Sequence, residues 1–214
     1  MSDPDEMDEF RRWVEVFNKT HGYGSVFNYE TAADKVIVQL GSAREFCKSI
    51  ATELGLTTVG EPEHNPNDPP DCYIFVEEQR LGVELVQLID SEHKRRAAKG
   101  ETPYAGQLFL DMQWSRDRLI SKLNGMIQTK GTKYERAGMS IDVLLIHTAE
   151  TWLNSNQVRE WLADVQIKPH PNFASAFLLL EYEPGKNAQH WPVFLLYGGL
   201  EGRASRGVAW ERKS

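Results

Sequence analysis

Residues 69–90, PPDCYIFVEEQRLGVELVQLID, decide how the chain is read. Two apolar runs rich in strand-forming residues, Cys72–Val76 and Leu81–Ile89, flank the polar tip Glu77-Glu78-Gln79-Arg80. That pattern predicts a β-hairpin whose strands are covered on both faces. Two carboxylates interrupt it, Asp71 at the start of the first strand and Glu84 inside the second. A carboxylate among Val and Leu is costly unless a cation or a donor compensates it, so both need a reason. With the turn centred on Glu78 and Gln79, residue 77 faces 80, 75 faces 82, 73 faces 84 and 71 faces 86. Asp71 and Glu84 are then diagonal neighbours on one face, within reach of a single metal ion.

The flanking segments give the order of elements. An amphipathic helix is expected over residues 5–19, with Phe10, Trp13, Val14 and Phe17 at helical spacing. Residues 20–40 carry weak alternation and a short β-like run, KVIVQL at 35–40. A helix capped by Ser42 and stopped by Gly55 follows, its apolar stripe being Ala43, Phe46, Cys47, Ile50 and Leu54. Leu56–Val59 is expected as a strand, and EPEHNPNDPP at 61–70 as a proline-rich loop. After the hairpin come a basic segment at 91–100 and a connector at 101–113. A helix then runs from about Trp114 to about Tyr134 with Ser115 as its cap, followed by a buried strand at Ile141–Thr148. A helix capped by Asn154 or Ser155 and two strands, 173–182 and 192–197, complete the series. The expected fold is α/β, a mixed central sheet flanked by helices. Residues 1–40 are read as an N-terminal helix and connector, and 41–214 as one α/β domain.

The helix after the connector holds a second anomaly. Taking Leu123 as zero at 100° per residue, Ile120, Ile127, Leu119, Met126 and Tyr134 fall within about 60° of it, and Lys130 falls near the centre of that stripe. A lysine there either snorkels, which Gly131 would permit by ending the helix, or meets a buried anion. In the second case Asp71 and Glu84 are the obvious partners.

Charge narrows the function classes. The net charge of −7 argues against a general nucleic-acid coat. Residues 94–136 nevertheless carry ten Lys or Arg against four Asp or Glu, a basic stretch suited to a groove for DNA or RNA or to solvated helix faces. No apolar run approaches the ~20 residues of a membrane span. The acidic start, MSDPDEMDEF, resembles neither a signal nor a transit peptide, and Cys47 and Cys72 lie in apolar patterns, so a cytoplasmic setting with buried free thiols is expected. There is no Gly-rich phosphate loop, G-x-S-x-G elbow or CxxC pair, and the six histidines show no metal spacing. His147, ending a buried strand, is read as a hydrogen-bonded structural histidine that could approach a site at the sheet edge.

A Pro-Asp pair opening one strand, with an acidic residue a dozen positions on in the next, resembles the PD-(D/E)XK, or restriction-endonuclease-like, superfamily, and the order of elements from 42 to 197 is similar to that fold. ELVQLID, KGTKY and LLIHTAETWLN are also similar to segments of uncharacterised bacterial proteins placed near that superfamily. The resemblance implies a Mg²⁺- or Mn²⁺-dependent nuclease acting on DNA or RNA, with metal held by Asp71, Glu84 and the backbone carbonyl of Leu85. It also implies a catalytic lysine two residues after the glutamate, where this chain has Val86. Gln87 is polar but should point to the other face unless a bulge intervenes. Some members take the lysine from the following helix, which makes Lys130 the candidate beside Asp71 and Glu84. A glutamate of the first helix sometimes completes such sites, which brings in Glu53. The rival expectation is the same fold without catalysis, a module binding nucleic acid or protein.

Overall fold

The computed structural model describes residues 32–89, 114–148, 150, 153–181 and 190–200. The helix expected at 5–19, the basic segment at 91–100, the connector at 101–113 and the tail from 201 lie outside them. In chain order the elements are α1 (Ala32–Leu54), β1 (Glu63–His64), β2 (Cys72–Val76), β3 (Gln79–Gln87), α2 (Arg116–Arg136), β4 (Ile141–Thr148), α3 (Ser155–Leu162), β5 (Phe173–Leu180) and β6 (Val193–Tyr197). The six strands form one sheet in the order β1-β2-β3-β4-β5-β6. The β3–β4 and β4–β5 pairs are parallel and the others antiparallel, so the protein is α/β with a mixed sheet. No helix among the described residues is long and apolar enough to cross a membrane.

Alternation along the strands supplies two cores, because successive side chains point to opposite faces. Leu81, Val83 and Leu85 of β3, Val143 and Leu145 of β4 and Phe177 and Leu179 of β5 pack with Ala43, Phe46, Cys47 and Ile50 of α1. Their neighbours Leu88, Leu144, Ile146, Ala176, Leu178 and Leu180 pack with Leu119, Leu123, Ile127 and Tyr134 of α2 and Val158 of α3. Parallel strands covered on both faces are continuous in apolar residues, which is why 141–148 and 173–180 read so clearly. Burial pushes the Cys47 and Cys72 thiols up to about 12, in keeping with their being free and buried.

Three local expectations need correction. The KVIVQL run is helical, because α1 begins at Ala32 and continues unbroken to Leu54. Its β-branched residues disfavour helix only weakly, and packing against the sheet overrides that preference. Ser42 is therefore not a cap: it is buried in mid-helix, and its hydroxyl donates to Glu181 at 3.1 Å. Of Leu56–Val59, only Val59 bridges to the sheet, opposite Val76, while the edge strand proper is the two-residue β1. Gly55 does end α1, at φ 62°, and Asn154 caps α3 in a reciprocal pair with Gln157.

The hairpin turn is one residue earlier than expected. Val76 pairs with Gln79 and Cys72 with Val83, so Glu77 and Glu78 form the turn, Glu77 at φ 53°. The pairing thus moves by two residues, which keeps every paired side chain on its face, and the ladder begins at Cys72, one residue after Asp71.

Helix α2 does not stop at Gly131. Ser115 caps it, its hydroxyl accepting from the Arg118 amide, and it runs on to Arg136. Gly131 is required for a different reason: a Cβ there would lie 2.2 Å from the ring of His170, which is itself buried. This close approach lets α2 lie deep enough for residues 127–134 to reach the sheet. Gly131→Ala is thus expected to destabilise the protein by about 1–3 kcal/mol through overpacking, against the ~1 kcal/mol that alanine would gain in an open helix. Urea unfolding checks this, and a stabilised variant would contradict the packing account.

Candidate metal centre

The centre is built where β2 runs out. The β2–β3 ladder ends at Cys72 and Val83, leaving the Leu85 amide without a strand partner on that side. The Asp71 side chain takes the place of backbone: its Oδ2 accepts from the Leu85 amide at 2.8 Å. Its Oδ1 accepts from the Gln39 side chain of α1 at 2.5 Å. Both oxygens are thereby oriented, and each keeps a lone pair for a further ligand.

Glu84 projects from β3 toward α2 and is 3% exposed. Its Oε1 accepts from the Lys130 ammonium at 2.6 Å. Lys130 thus leaves the apolar stripe of α2 to meet a buried anion, the second of the two fates the sequence offered. Among the described residues no group meets hydrogen-bond geometry with Glu84 Oε2. The Tyr134 hydroxyl, one helical turn beyond Lys130, is also buried and interacts with the Glu84 carboxylate, short of full hydrogen-bond geometry to any described residue. Burial first, and Glu84 second, push its phenol above the ordinary value.

A third carboxylate joins them from the proline-rich loop. Single oxygens of Asp68, Asp71 and Glu84 all lie within 4.8 Å of one another. Asn65 organises this loop. It is buried, its amide nitrogen donates to the carbonyls of Asn67 at 3.3 Å and Pro70 at 2.7 Å, and its side-chain oxygen accepts from the Asn67 amide at 3.1 Å. Pro70 then packs against Gly82, where a Cβ would approach it to 3.0 Å. Lys35 of α1 lies 3.6 Å from both Asp68 Oδ2 and Asp71 Oδ1.

Asp71, Glu84 and Lys130 therefore converge, and Leu85 enters through its amide. The other candidates do not. Val86 is partly buried against the α2 core. The β3–β4 register runs unbroken through Gln87 and His147, so no bulge turns Gln87 toward Glu84. Glu53 lies fourteen residues beyond Gln39 on α1, about 20 Å along the axis, where it is exposed and meets His190 at 3.0 Å. His147 is buried and its Nδ1 lies 2.5 Å from Glu181 Oε1, as expected of a structural histidine. Sequence reading missed Asp68, Lys35, Gln39 and Tyr134. Lys35 and Gln39 sit four apart, on one helical face, a spacing that shows only once KVIVQL is read as helix.

Much of the basic character of α2 is committed internally. Arg116 pairs with Asp164, Arg118 lies over the Trp114 ring and Lys133 over the Tyr134 ring. Comparisons with family models, curated proteins and solved structures find no match to this chain, so the functional reading rests on the site itself.

Millimolar Mn²⁺ should stabilise the protein by about 1–3 kcal/mol if its Kd is ten- to a hundredfold lower, a rise of a few degrees in Tm. Glu84→Gln should abolish that rise. Differential scanning calorimetry measures both, and an equal rise in the variant would place the ion elsewhere.

Proposed function

We propose that the protein is a Mg²⁺- or Mn²⁺-dependent phosphodiesterase acting on DNA or RNA, built on a restriction-endonuclease-like fold. The observation that carries this reading is the Lys130 ammonium 2.6 Å from Glu84, beside carboxylates from two other segments. The resemblance calls for a strand aspartate, a strand glutamate and a lysine, and here the lysine arrives from a helix forty-six residues after the glutamate.

The residues fit the metal. All the side-chain donors are carboxylate oxygens, the ligands hard divalent cations prefer. Their oxygens lie within 4.8 Å of one another, and adjacent ligands of an octahedral ion stand ~3 Å apart, so the three carboxylates would contract around the ion. Glu84 Oε2 and the remaining lone pairs of Asp71 are the groups left to bind it, with Asp68 at the exposed rim and the Leu85 carbonyl as the backbone ligand. When bound, the ion supplies Lewis-acid polarisation of the phosphodiester and a water of lowered pKa.

The chain's own residues do the positioning. Gln39 and the Leu85 amide lock the Asp71 carboxylate from two directions, so it needs little rearrangement to act. Lys130 holds Glu84 and carries a positive charge to the place where charge develops on the phosphoryl oxygens. Val86 at the usual lysine position keeps β3 sealed against α2 and leaves that charge to Lys130.

Cleavage of labelled DNA and RNA with Mg²⁺ or Mn²⁺ tests the proposal. Asp71→Asn and Glu84→Gln should each lower activity by about 10² or more, and Lys130→Met by a similar factor while Mn²⁺ still binds. Activity surviving Glu84→Gln would sink the assignment. Salt-sensitive nucleic-acid binding with no cleavage under any metal would favour the non-catalytic module.

A further inference from the structure

Helix α2 sends two side chains, one turn apart, to the same buried carboxylate. Lys130 donates to Glu84 Oε1 at 2.6 Å, and the Tyr134 hydroxyl interacts with the Glu84 carboxylate short of full hydrogen-bond geometry. Residues four apart share a helix face, so both approach β3 from the same side. Tyr134 is 1% exposed. Phe173 of β5 meets its ring edge-on, with centroids 5.8 Å apart and planes at 81°, and the Lys133 ammonium lies 5.4 Å from its centroid. The seat depends on the close approach of Gly131 to His170, which brings this turn of α2 down to the sheet. A tyrosine has only two side-chain torsions, so a ring packed in this way aims its hydroxyl. An ionised carboxylate only accepts, which makes the phenol beside it the donor. Phenylalanine would serve the packing equally, whereas a buried hydroxyl is unfavourable without a partner.

Resting on the metal-dependent reading above, we propose that Tyr134 is a positioning residue, its phenol fixing the angle at which the Glu84 carboxylate meets the metal ion. Lys130 grips one oxygen, about which the carboxylate can still turn. A second donor from the same helix removes that freedom before the ion arrives, so less ordering is left to the binding step. Donors behind a metal-binding carboxylate contribute about ten- to a hundredfold to metal affinity. Tyr134 therefore acts on the hold on the ion, and Lys130 on the phosphodiester.

The test sets the full chain against Tyr134→Phe, which keeps the ring and removes only the hydroxyl. Mn²⁺ affinity is measured by calorimetry without nucleic acid, and cleavage of labelled DNA and RNA is followed over a Mn²⁺ series. Tyr134→Phe should bind Mn²⁺ about tenfold more weakly and need about tenfold more of it for half-maximal cleavage. Its rate should recover to within about twofold of the wild type as Mn²⁺ saturates, whereas Lys130→Met should stay slow at every Mn²⁺ concentration. A hydroxyl with a structural role alone would lower the melting temperature and leave Mn²⁺ affinity unchanged, and that result would overturn the proposal. Should Tyr134→Phe not fold, a fluorotyrosine in place of Tyr134 is read by fluorine NMR as Mg²⁺ is added. Its resonance should move with the calorimetric Kd, and a stationary resonance with Mg²⁺ bound would overturn the role. A wild type that takes up neither ion overturns the metal reading and this one with it. Mn²⁺ bound about tenfold more weakly by Tyr134→Phe, with no cleavage by the wild type, would sustain the positioning role and overturn the phosphodiesterase reading alone.

Discussion

Glu84 is the constraint around which the structure is arranged. It stands 3% exposed in a strand of leucine and valine, and a buried carboxylate left alone costs several kcal/mol. The fold answers with a lysine from α2, whose placement depends on Gly131 giving way to the His170 ring. The answer is looser on one side, where among the described residues Glu84 Oε2 completes no hydrogen bond and the Tyr134 hydroxyl meets the Glu84 carboxylate short of full hydrogen-bond geometry. A purely structural ion pair would favour satisfying both oxygens, because the unsatisfied one lowers stability without return. On the proposed function, that oxygen is the one kept for the metal ion.

Asp71 shows the complementary arrangement. By substituting for a missing strand, it converts the end of β2 into a fixed position for a carboxylate, with donors from α1 and β3. The loop before it, ordered by Asn65, adds Asp68 at the rim. Ladder end, loop and two helices therefore meet at one corner of the sheet. That corner carries a graded set of groups, from the buried Glu84 and Tyr134 to the exposed Asp68 and the half-exposed Lys35.

Much of this was legible in the sequence because it rests on periodicity. The doubly covered strands read as continuous apolar runs, and the lysine in the apolar stripe of α2 stood out as an angle on a helix. Asp71 and Glu84 do meet, though not as paired strand residues on one face: β2 ends at Cys72, and Asp71 reaches Gln39 of α1 and the Leu85 amide while Glu84 reaches Lys130 of α2. What could not be read was tertiary. KVIVQL looked like a strand because Val and Ile favour one, and only packing on the sheet makes it helical, so Lys35 and Gln39 were missed with it. Asp68 hid in a loop with no period, and Gly131 looked like a helix stop because its His170 neighbour lies thirty-nine positions away.

The central claim is that one hard cation belongs between Asp71 and Glu84. The most direct measurement is a crystal structure of the protein with Mn²⁺, read by its anomalous signal. The account predicts a peak about 2.1–2.3 Å from oxygens of Asp71 and Glu84, with Lys130 still beside Glu84. Its absence at saturating Mn²⁺, or a peak away from Glu84 Oε2, would contradict it.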